Sequence, residues 1–88
     1  MKLQICAVYD KVAGAYLAPL FVRTSFEAMR MFRDAVGSAD HQFCKHPEDF
    51  VLFRLGEFDD NTGAVEPLHV TEKLMDGLTA VELVRAPV

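Results

Sequence analysis

Phe50-Val51-Leu52-Phe53-Arg54-Leu55-Gly56-Glu57-Phe58, followed at once by Asp59-Asp60-Asn61-Thr62-Gly63, is the stretch on which the fold turns. Its first residues are bulky and apolar on both faces up to Arg54, the pattern of a central strand buried from two sides. The Asp, Asn and Gly cluster behind it is a hairpin turn, with Gly63 as the left-handed residue. Ala64 to Val70 then returns antiparallel. Pro67 has no amide proton, so the return strand is expected to be short or to lie at an edge. Beyond it, Thr71 to Asp76 suits a single helical turn with Thr71 as cap and Gly77 as stop. Leu78 to Val84 fits strand or helix equally well.

Upstream of the central strand, Ser38 to Glu48 has no periodicity and reads as a polar loop. Before it stands the best local signal in the chain, Thr24-Ser25-Phe26-Glu27. Thr24 can accept from the amide of Glu27, and the Glu27 carboxylate can reach back to the Thr24 amide. Phe26, Met29, Phe32 and Val36 recur at helical spacing, and Gly37 ends the run. The spacing predicts a helix over about Ser25 to Val36, with those four residues toward the core and Arg30 and Arg33 outside. At the N-terminal end, Leu3, Ile5, Ala7 and Tyr9 alternate with Lys2, Gln4, Cys6 and Val8, a strand period. Asp10 to Gly14 makes a turn, and Ala15 to Val22, broken by Pro19, returns as an edge piece. The fold class is α+β: β-hairpin, helix, β-hairpin and a short mixed tail. One small antiparallel sheet carries one main helix on one face.

The chain has 88 residues, 51% hydrophobic and 25% charged, with seven Phe, two Tyr and no Trp. That is one domain's worth of sequence, able to bury a small core, with no linker or repeat to divide residues 1–88. No apolar run approaches the ~18 residues that cross a bilayer. Gln4 and Asp10 interrupt the opening where a secretory leader is apolar, so an intracellular protein that engages no membrane is expected. Cys6 and Cys44 are too few for a disulfide framework and read as reduced thiols. Residues 1–54 hold seven basic and six acidic groups, whereas residues 55–88 hold two basic and seven acidic. Any surface for a polyanion must therefore be local to the front of the chain.

A strand apolar on both faces needs two covers, and one helix of about three turns supplies one. The second is either a homodimer in which sheets or edges pair, or the tail segment folded across.

Four stretches together resemble one family: Met1-Lys2-Leu3-Gln4-Ile5-Cys6-Ala7-Val8-Tyr9-Asp10; Ala15-Tyr16-Leu17-Ala18-Pro19-Leu20-Phe21; His41-Gln42-Phe43-Cys44-Lys45-His46-Pro47-Glu48-Asp49-Phe50-Val51-Leu52-Phe53; and Gly56-Glu57-Phe58-Asp59-Asp60-Asn61-Thr62-Gly63. The chain is similar over about residues 1–65 to the small non-structural protein of gokushovirus-type microviruses, tailless bacteriophages with circular single-stranded DNA genomes. The resemblance implies a DNA-binding protein acting in the switch from duplex replication to single-strand synthesis and packaging, in the cytoplasm of the infected bacterium. It implies no catalytic motif. The element His46-Pro47-Glu48-Asp49 transfers by position, without a role.

Single-strand binding requires cations along a backbone track and exposed rings on which bases stack. The candidate cations are Arg23, Arg30, Arg33, Lys45 and Arg54, and the candidate platforms are Phe43 and Phe50 at the ends of the polar loop. Against this, three arginines on a helix exterior are ordinarily a solvated face, with Glu27 and Asp34 within one turn of Arg30. Phe50 and Phe53 are most simply core. His41, Cys44 and His46 have zinc-ligand chemistry, with Cys6, His69 or a carboxylate as a fourth, but their spacing matches no common module. Pro47 forces His46 out of the helical region, which makes His46-Pro47-Glu48-Asp49 a geometric element. No phosphate loop, nucleophile motif or cofactor motif is present. The expectation is a non-enzymatic, dimeric DNA-binding protein, with a protein–protein adaptor for a phage or host component as the other class. A small hydrolase would need a pocket lined by His46, Glu48 and Asp49.

Overall fold

The computed structural model describes residues 1–85. The chain runs β1 (Lys2–Asp10), β2 (Ala15–Tyr16), β3 (Leu20–Val22), α1 (Ser25–Val36), α2 (Gln42–Lys45), a 3-10 turn (Pro47–Asp49), β4 (Phe50–Asp59), β5 (Val65–Asp76) and α3 (Gly77–Arg85). All five strands form one antiparallel sheet in the order β2-β1-β4-β5, with β3 also paired to β1. The α+β class expected from the sequence is the class observed.

β4 is central, paired along its whole length with β1 and on its other side with β5. Its turn into β5 is closed by Asp59 N–H donating to the Ala64 carbonyl at 2.9 Å, with Gly63 at φ 77°. The Thr24 capping box is present: Glu27 N–H donates to Thr24 Oγ1, and the Glu27 carboxylate accepts from the backbone of Arg23 and Thr24.

Two local expectations give way. Thr71 to Asp76 is not a helical turn but the second half of a twelve-residue β5, paired from Glu72 with Arg54 to Asp76 with Val51. The buried backbone of β4 needs a hydrogen-bond partner on that side, and this need outweighs a single capping signal. Pro67 lies on an edge strand, the second of the two placements expected for it, where the missing amide costs no ladder bond and the strand is not shortened. Gly77 opens α3 instead of stopping a helix, and Asp76 caps it by accepting from Thr79 N–H at 2.7 Å. The polar loop contains α2 and the 3-10 turn. His46 between them (φ −136°, ψ 59°) is held off the helical region, as expected before Pro47.

The core lies between the sheet and the helices. Cys6 and Val8 of β1 and Phe50 and Leu52 of β4 meet Ala28, Phe32 and Val36 of α1, together with Phe43 and Ala80. Burial pushes the Cys6 thiol above its ordinary range. α3 lies beside α1 on this same side, so the described tail, to Arg85, does not cover the other face of the sheet. The molecule is a slab of 42 × 32 × 21 Å.

Candidate nucleic-acid interface

α1 buries the stripe Ala28, Phe32 and Val36 at i, i+4 and i+8. Phe26, Arg30 and Arg33, at i, i+4 and i+7, therefore share a second stripe about one third of a turn away. Phe26 is 77% exposed, although the sequence spacing placed it toward the core. Its ring and the two arginines line an open groove of about 460 Å³ between α1 and the end of β5, floored by Met29 and Met75.

Both carboxylates within one turn of Arg30 are engaged elsewhere or unengaged. Glu27 is occupied by the helix cap. Among the described residues, neither Glu27 nor Asp34 forms an ion pair with Arg30, and Arg23, Arg33 and Lys45 also form none. Arg23 precedes the helix, and Lys45 is exposed on α2, which packs against α1. Of these four cations, Arg30 and Arg33 share one groove, while Arg23 and Lys45 stand outside its lining.

Two residues expected at the interface are placed elsewhere. Arg54 lies half-buried on the sheet. It donates to Gln4 Oε1 at 2.9 Å and pairs with Glu72 at 3.3 Å and Glu57 at 3.9 Å, so its charge is neutralised. Phe43 is 7% exposed, with its ring centroid 4.5 Å from that of Phe50 and 5.5 Å from that of Phe32. It is core and offers no face to a base. Phe50 is buried with it. The exposed ring beside the arginines is Phe26, and its signal was the i, i+4, i+7 relation to Arg30 and Arg33.

The metal-ligand types do not gather as the sequence order suggested. His41 Nδ1 accepts from Phe43 N–H at 3.1 Å, and Cys6 lies in the core. Among the described residues the donor atoms that do converge are those of His46, Glu48 and Asp49, within 4.8 Å of one another at the surface. The nearby surface groove takes Glu48 with Lys11, Lys73 and Asp76 but neither His46 nor Asp49. No helix among the described residues is long and apolar enough to cross a membrane.

A protein-family model described as Phage ORF5 protein matches residues 3–81. No curated protein and no solved structure matches.

Proposed function

The chain belongs to the Phage ORF5 protein family, and from that premise we propose that it is a non-enzymatic DNA-binding protein favouring single strands. The observation that carries the reading is the α1 stripe, in which an exposed phenylalanine is followed by two arginines that form no ion pair among the described residues. Cations track a phosphate backbone and an exposed ring stacks a base, which are the two requirements of sequence-tolerant single-strand binding. The similarity to gokushovirus-type non-structural proteins supports the same reading and adds its setting. The protein would act by occupancy on newly made viral DNA, during replication or the switch to single-strand synthesis and packaging, inside the infected bacterium.

The test is a titration of labelled single- and double-stranded oligonucleotides at several salt concentrations. Binding should weaken steeply with salt, by about 0.7 logarithmic units per decade for each phosphate neutralised on a single strand. Arg30→Ala and Arg33→Ala should each flatten that slope by about one contact. Folded protein that binds neither oligonucleotide at low salt removes the reading. The adaptor reading is favoured by a different observation, the aromatic sheet face that none of the described helices covers.

A further inference from the structure

The face of the sheet turned away from the helices is a layer of rings. Side chains in register on this face are Tyr16, Tyr9 and Val51; Ala7 and Phe53; Phe21 and Ile5; and Leu3, Phe58 and Val65. Tyr16 stacks edge-on to both Tyr9 and Phe53, with centroids 4.9 and 6.0 Å apart, and Phe21 meets Phe58 at 5.5 Å. The rings dry the smaller Ala7, Ile5 and Val51 beneath them, and no element among the described residues is layered above them. Tyr16 and Phe21 are 42% and 49% exposed.

We propose that this face is an interface between two copies of the chain, packed sheet on sheet. Charge favours a second copy over a polyanion. The charged residues in register on the face, Lys73 and Asp76, pair with each other at 3.1 Å. Burying the face therefore strands neither of these two charges, and Lys73 is not free for phosphate; Lys11 and Glu48 border the same end of the face and stay at its rim. Area is compatible with pairing: strands of nine and ten residues in a sheet four strands wide offer a footprint of about 1,100 Å² over both copies, which clears the ~1,000 Å² floor for a biological interface. Face pairing is also preferred to edge pairing. The β5 edge carries Pro67 and two register shifts, and the opposite edge is split into β2 and β3 around Pro19, both of which blunt strand addition. In a sandwich of this kind the faces sit about 10 Å apart with strands aligned to within about 30°. Both α1 grooves remain outermost, so the inference stands whether or not the protein binds DNA.

The chain has no Trp, and its two tyrosines, Tyr9 and Tyr16, both lie on this face. Their emission is a built-in reporter. Sedimentation equilibrium of the full chain over about 1–200 µM should give twice 9.8 kDa at the upper end, with tyrosine emission less accessible to acrylamide as the dimer forms. Phe21→Glu and Tyr16→Lys, whose side chains are already partly exposed, should each weaken association more than about tenfold. Phe26→Ala on the helical side should leave it unchanged. Circular dichroism confirms folding, and one folded variant of the pair suffices. A chain that stays at 9.8 kDa throughout, or a dimer that the folded face variants leave intact, overturns the proposal. A monomer whose tyrosine emission is quenched by an oligothymidylate also overturns it, and gives the face to nucleobases.

Discussion

Phe26 and Phe43 carry the same ring to opposite fates. Phe26 stands in the first turn of α1 on the arginine stripe, while Phe43 fills the gap between Phe32 and Phe50. Truncating each should separate binding from stability. Phe26→Ala is expected to weaken single-strand affinity by about 1–3 kcal/mol, the contribution of one stacked base, while changing stability by no more than about 0.5 kcal/mol. Phe43→Ala is expected to cost about 3–5 kcal/mol of stability. Arg54 extends the contrast to cations. Arg54→Ala should leave the salt slope of DNA binding unchanged and lower stability by about 1–3 kcal/mol, because Gln4, Glu57 and Glu72 lose their common partner. Oligonucleotide titration and urea unfolding of the same variants read both quantities.

The junction of β5 and α3 concentrates two further effects. Asp76 ends the strand and caps the helix, and the Thr79 backbone N–H together with the Lys73 ammonium holds its carboxyl down at about 2. A carboxyl lowered in the folded state contributes stability above its unfolded value and loses it as pH falls through the folded one. Asp76→Asn keeps a capping oxygen but does not titrate. The parent should exceed this variant by about 1 kcal/mol near neutrality, with the solvent exposure of the pair limiting the figure. The two stabilities should converge between about pH 5 and pH 2, as followed by urea melts at each pH. Gly77 follows directly. A Cβ there would collide with the backbone carbonyl of Pro47 and stand 2.9 Å from its Cα, and backbone cannot swing aside. Gly77→Ala should lower stability by about 3 kcal/mol or more, by forcing α3 away from the Pro47–Asp49 turn.

Across the whole molecule, the sheet separates two chemistries. The helical side presents the Arg30 and Arg33 groove among other charged residues of both signs, whereas the far side presents rings and the Lys73–Asp76 pair, with Lys11 and Glu48 at one end. A formal charge of −4 is thus compatible with a local pairing of Arg30 and Arg33 at one groove. The two associations proposed should respond oppositely to salt. Raising it from about 50 to 200 mM should weaken oligonucleotide binding strongly by counterion release. The same change should leave the sedimentation mass of the free protein unaltered, since apolar burial is not screened.

The elements legible in the linear chain were those whose signals are local. The capping box at Thr24 and Glu27, the 25–36 helix, the Asp59–Gly63 turn and the doubly apolar β4 depend on neighbours a few residues apart, and all four are observed. What folding settled depended on distant partners. β5 runs through Thr71 to Asp76 because the open side of β4 demanded hydrogen bonds. Phe43 went inside because Phe32 and Phe50 left a ring-sized gap, and Arg54 was claimed by Glu72 across the sheet. Phe26 came out because the stripe that α1 turns to the sheet is Ala28, Phe32 and Val36, and Phe26 lies off it. Hydrophobic spacing ranks side chains by size and polarity, whereas burial is awarded by the space and the unpaired backbone groups that the assembled layers leave.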